Sequence, residues 1–110
     1  MIRSLAFLTL VFSTLAGAAS AQDDPLARGR EIVVTYCESC HNITDTGDSP
    51  HADAPPFRTL HERYELDWLS EGLVEGLVSG HPDMPEFEFD PIEAEAIVSY
   101  LKSLTPALAQ

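Results

Sequence analysis

Two cysteines and a histidine confined to five residues, Cys37-Glu38-Ser39-Cys40-His41, constrain this chain more than any other feature. They are the only cysteines in 110 residues. A disulfide between them would close a tiny loop and tie nothing distant together. A domain this small buries little apolar surface and ordinarily needs a staple. A fold built on this sequence therefore needs another source of core.

The spacing supplies one. On a helical turn, Cys-x-x-Cys presents two thiols on one side, and the next residue presents an imidazole. That is the attachment pattern of c-type haem, with thioethers at Cys37 and Cys40 and His41 as proximal iron ligand. Three other readings compete. A thioredoxin-like redox pair needs a βαβ context, and no such pattern is present. A zinc site needs four ligands, with His51 or His61 added, and adjacent Cys40 and His41 cannot easily share one tetrahedron. A chance match is the third. Attachment is the reading that also answers the shortage of core: one covalent haem c per chain becomes its centre, and the apoprotein is expected to be largely unfolded.

The amino terminus points the same way. Met1-Ile2-Arg3, an apolar run from Leu5 to Leu15, and Ala19-Ser20-Ala21 form a tripartite secretory signal. The apolar run is shorter than the roughly 20 residues that cross a bilayer. The expected division is a signal peptide, 1–21, cleaved after Ala21, and one domain, 22–110, in the periplasm, with no membrane span in the mature chain. The formal charge is −12, and loss of Arg3, the leader's one charged residue, makes it −13. Nucleic acid and anionic lipid are repelled by such a chain. Redox proteins with basic docking surfaces suit it.

The remaining pattern predicts an all-α domain with long loops. Asp23-Asp24-Pro25 is a helix start. Leu26, Gly29, Val33, Cys37 and Cys40 form a stripe on a helix over 25–38. Residues 42–56 read as a polar loop. Helices follow over 57–64 and 66–78, the second carrying Gly72 and Gly76. Gly80-His81-Pro82-Asp83-Met84-Pro85 is an extended, turning strip, since its prolines exclude regular helix. Asp90-Pro91 opens a last helix with Glu93 placed for a capping box, Ile97, Tyr100, Leu101 and Leu104 as its apolar stripe, and Pro106 as its end.

Met84 is the one methionine left once the leader is removed, 43 residues after His41. A thioether between an acid and a proline, in an irregular strip, suits a distal iron ligand better than a core filler. His81, three residues earlier, is the rival ligand; for His51 and His61 an exposed or locally bonded side chain is the better reading. With both axial positions filled, the iron passes single electrons and does little else. No catalytic side chain is expected.

At this point the chain resembles the class I c-type cytochromes over nearly all of its mature length, through Cys37-x-x-Cys40-His41 and the distant Met84-Pro85. The resemblance implies three to five short helices around one covalent haem. It implies that the first and last helices cross at Gly29, with Val33 nearby and Ile97 and Tyr100 opposite. Ala54-Pro55-Pro56-Phe57 is similar to the family's Gly-Pro-x-Leu segment, which makes the Pro55 carbonyl the acceptor for His41 Nδ1–H. Arg58, Tyr64 and Trp68 become candidates for the haem propionates. The function implied is a periplasmic carrier of single electrons, monomeric. The alternatives are a cytochrome subunit bound permanently to a dehydrogenase or oxidase, or a ligand-binding haem sensor or peroxidase.

Overall fold

The computed structural model describes residues 24–105 together with Ser13, Ala16 and Gly17. Those three residues apart, the expected leader lies outside the described residues, as does its cleavage site. Three α-helices and one short 3₁₀ helix account for the regular structure: α1 (Pro25–Tyr36), the 3₁₀ helix (Phe57–Glu62), α2 (Leu66–Glu75) and α3 (Pro91–Ser103). No strand occurs among the described residues. The all-α expectation holds, with α1 two residues and α2 three residues shorter than the apolar spacing predicts.

Local chemistry explains the boundaries. The Asp24 carboxylate accepts from Leu26 N at 3.0 Å, and Pro25 follows it as the first helical residue. Gly76 stops α2 with φ of 98°, a backbone conformation costly for any residue with a Cβ. The capping box of α3 is complete: Glu93 N donates to Asp90 Oδ1 at 2.8 Å, and Asp90 N to Glu93 Oε2 at 3.4 Å. The other carboxylate oxygen of Glu93 takes Arg28 Nη2 at 2.9 Å, which pins the start of α3 to the start of α1.

The fold is organised by α1 crossing α3. A Cβ built on Gly29 would lie 1.9 Å from the Ala96 carbonyl oxygen and 3.0 Å from Tyr100 Cβ. The two backbones meet there, and only hydrogen fits between them. The crossing is thus at Gly29 as expected, but the facing residues are Ala96 and Tyr100 rather than Ile97 and Tyr100. Ile97 is buried in the adjoining core with Ile32, Val33, Ile43, Phe57, Leu66, Val98 and Leu101. Ile32 lies off the predicted α1 stripe, whereas Leu26, on it, is exposed. The turn after Glu75 leads into a strap, 76–90, that α2 holds through Phe89 N to Leu73 O at 2.9 Å. Phe87 and Phe89 close against Tyr36 edge-on, with centroids 5.7 and 5.5 Å away.

One buried bond joins α3 to the loop behind His41: Tyr100 Oη donates to Ile43 O at 2.7 Å. Tyr100→Phe keeps the ring but leaves that carbonyl unpartnered, so a loss of about 1–3 kcal/mol is expected in denaturant unfolding. An unchanged midpoint would mean that water takes over the bond.

Candidate functional site

The site begins where α1 ends. Cys37 N donates to Val33 O at 2.9 Å, and Cys40 N and His41 N both donate to Cys37 O, at 3.1 and 2.9 Å. The motif is therefore wound as a further turn, which carries Cys37, Cys40 and His41 off the buried end of the helix. All three are half-buried. Burial, joined by the neighbouring Cys40 sulfur, pushes the Cys37 thiol up to about 11 from 9.0. It is uncharged at neutral pH.

His41 is oriented from behind. Its Nδ1 lies 2.8 Å from the Pro55 carbonyl oxygen. A carbonyl only accepts, so Nδ1 carries the hydrogen and Nε2 keeps its lone pair. Nε2 has no hydrogen-bond partner among the described residues. Phe57 fixes the ring plane from the side, at a centroid distance of 4.7 Å and a tilt of 36°. Pro55 thus stands at His41 as the resemblance implied.

The loop that delivers Pro55 is shaped by Asn42, a residue the sequence reading passed over. Its Nδ2 donates to Thr46 O and Asp48 O at 3.0 and 3.2 Å, and its Oδ1 accepts from Thr44 N and Oγ1, both at 2.9 Å. Its carbonyl takes Phe57 N at 2.9 Å, closing the loop where the 3₁₀ helix starts. Asn-x-Thr directly after a histidine is the signal that could have found it, since Asx turns build such loops.

Of the three candidate anion-binding residues, Arg58 stands apart. Nη2 donates to Gly47 O at 2.7 Å, while Nη1 is buried with no protein partner. Among the described residues it is the one buried side-chain nitrogen or oxygen left unpaired. A buried, unpartnered guanidinium nitrogen suits an anionic oxygen. Tyr64 and Trp68 are exposed, Trp68 by 75 %, and line an open cleft of about 490 Å³ with His61, Arg63 and Leu69.

Met84 is half-buried in the strap and lines a cleft of about 300 Å³ with Leu77, Val78, Gly80 and His81. Its sulfur makes no hydrogen bond among the described residues. Cys37, Cys40, His41 and Pro55 are brought together directly; Met84 lies on a separate segment, the strap. His51 and His81 are bonded to aspartates, and His61 Nδ1 lies 3.4 Å from Thr105 Oγ1. No helix among the described residues is long and apolar enough to cross a membrane.

The donor set suits a covalently attached haem: two thiols one turn apart, an imidazole with a free Nε2, a thioether, and a cationic nitrogen awaiting an anion. Comparison with known proteins agrees. The family model described as Cytochrome c matches residues 26–105. Cytochrome c-552 of Bradyrhizobium diazoefficiens is 31% identical over 99 residues, which cover 90% of this chain and 93% of that protein. No solved structure matches the chain significantly.

Proposed function

Since the chain belongs to the cytochrome c family, whose members carry covalent haem c and transfer electrons rather than catalyse, we propose that it is a periplasmic single-electron carrier with haem attached at Cys37 and Cys40 and iron held between His41 and Met84. The observation that carries this reading is the 2.8 Å bond from His41 Nδ1 to the Pro55 carbonyl. It leaves Nε2 as the donor and fixes the ring, the arrangement found behind metal-bound imidazoles. The haem supplies a one-electron ferric–ferrous couple. The protein contributes orientation, exclusion of water and a soft sulfur that favours the ferrous state.

Each remaining residue has a part in this reading. The Arg58 guanidinium receives a propionate through Nη1, the nitrogen without a protein partner. Phe57 keeps the His41 ring from rotating. The signal-like sequence over 1–21 supports export, and the charge of −12 supports partners with basic docking faces. Their encounter is then slowed by salt, because screened charges steer less strongly.

Met84→Ala tests the axial assignment. The native reduced protein is expected to be low-spin and to bind no carbon monoxide at neutral pH. The variant is expected to be high-spin, to bind carbon monoxide readily, and to have a reduction potential lowered by 100 mV or more, on the order of the span that axial ligands command. Carbon monoxide binding by the unaltered protein would overturn the carrier reading in favour of a sensor or peroxidase.

A further inference from the structure

Among the described residues, two side-chain hydrogen bonds tie 78–86 to the rest, and both run to one short segment. His51 Nε2 lies 3.1 Å from Asp83 Oδ2, and His81 Nε2 lies 3.3 Å from Asp53 Oδ2. The other hydrogen bonds of 78–86 are local: His81 N to Ser79 Oγ at 3.1 Å, Asp83 N to His81 Nδ1 at 3.2 Å, and Met84 N to His81 O at 3.2 Å.

The cross is made by two tripeptides of one form, His51-Ala52-Asp53 and His81-Pro82-Asp83. In each, the aspartate N–H donates at 3.2 Å to Nδ1 of the histidine two residues before it. That bond occupies the Nδ1 lone pair, so the ring hydrogen sits on Nε2 and points at the opposite aspartate. The rings meet edge to face at a centroid distance of 5.4 Å. Each tripeptide is therefore donor and acceptor to the other, and the arrangement forms only when the two loops are in register.

Both ends lie beside the supports of the iron ligands. His51 N donates to Cys40 O at 3.1 Å, and Asp53 stands two residues before Pro55, the acceptor of His41. On the other side, Asp83 immediately precedes Met84, whose own N–H returns to His81 O. We propose that the reciprocal His51–Asp83 and His81–Asp53 bonds form a clasp that positions the Met84 strap against the proximal loop and holds the thioether on the iron against competing ligands. The proposal rests on His41–Met84 ligation. The four side chains are 29–71% exposed, so each bond alone is weak. The bonds matter because 78–86 has no other polar tie to the rest of the described residues: when they open, it is restrained by its apolar contacts and by its two ends, the later of which is held by Phe89 N to Leu73 O.

Imidazole titration of the ferric holoprotein at neutral pH tests this, with the sulfur-to-iron charge-transfer absorption as an independent marker of Met84. Imidazole enters only when the strap opens. His51→Ala and Asp53→Ala are each expected to bind it about twofold to fivefold more tightly than the parent protein, the range that one exposed side-chain pair supplies. Both should keep the sulfur-to-iron band before imidazole is added. His51→Ala combined with Asp83→Ala should do little more than either alone, since the two share one bond. Unchanged imidazole affinity in both single variants, or strictly additive effects in that pair, would overturn the clasp while leaving the axial assignment intact. Absence of the sulfur-to-iron band in the parent protein would instead remove Met84 from the iron, and the clasp with it. Should His51→Ala yield no holoprotein, Asp53→Ala, altered at a side chain 71% exposed, carries the same reading.

Discussion

The double variant Cys37→Ala, Cys40→Ala is expected to emerge without attached haem, to lose most of its helical circular-dichroism signal, and to melt without a cooperative transition. The physical reason is the size of the protein core. Among the described residues the largest side chain less than 2 % exposed is a valine, Val33, and two of the six buried residues of α3 are alanines, Ala94 and Ala96. Burial at about 25 cal/mol per Å² has to offset about 1–2 kcal/mol of backbone entropy per ordered residue. A buried cluster of nine side chains, Ile32 to Leu101, is small against that sum. The half-buried Leu60, Leu69, Leu73 and Phe89 pack on the core without completing their burial inside it. Haem staining after denaturing electrophoresis reads attachment, and a thermal melt reads the fold. A haem-free chain with full helicity and a sharp melt would show that the helices stand on their own contacts.

Gly29→Ala is expected to be the most damaging single methyl group that can be added to the described domain. The new Cβ would overlap the Ala96 carbonyl oxygen at 1.9 Å and its carbon at 2.6 Å. Both are backbone atoms inside α3, so no rotamer change relieves the clash; α1 and α3 must separate. Overpacking of this kind costs about 3 kcal/mol, and the better helix propensity of alanine returns at most about 1 kcal/mol. The net loss of about 2–3 kcal/mol lowers the melting temperature of a domain this size by roughly 10–20 °C. Gly72→Ala is the matched control. Its Cβ would meet Leu77 Cδ1 at 3.1 Å, the far end of a side chain that can turn aside, and Leu77 Cβ at an ordinary contact distance of 4.0 Å. That variant is expected to be neutral or slightly stabilised. Equal melting temperatures for the two variants would refute the close crossing.

What the sequence carried plainly was local chemistry. The helix starts were legible because a cap needs only adjacent residues: Asp24 with Pro25, and Asp90 with Glu93. The Cys37–His41 motif was legible because its geometry is contained within one turn. The helix ends were overrun, α1 by two residues and α2 by three, because apolar spacing continued past Tyr36 and Glu75 while the backbone had already turned. At Gly76 the turn required positive φ, which apolar periodicity does not encode.

Contacts between distant segments were less legible without the resemblance. Pro55 and the Gly29 crossing came from it and not from spacing, and even then the facing residue proved to be Ala96, since the partner of a glycine depends on the helix crossing and not on apolar rank. Asn42, the Tyr100–Ile43 bond and the unpartnered Arg58 nitrogen all depend on loops whose paths no periodicity describes. The two His-x-Asp tripeptides lie in segments that the sequence presents separately, the polar loop 42–56 and the extended strip 80–85. Only the tertiary structure set them face to face, because their pairing spans about thirty residues and is decided by how α1, α2 and α3 place the two loops. The sequence by itself determined that this chain carries the haem-attachment motif and a single late methionine in an all-α domain. The tertiary structure decided what surrounds those residues, because hydrogen-bond partners and backbone contacts are set by the packing of segments far apart in the chain.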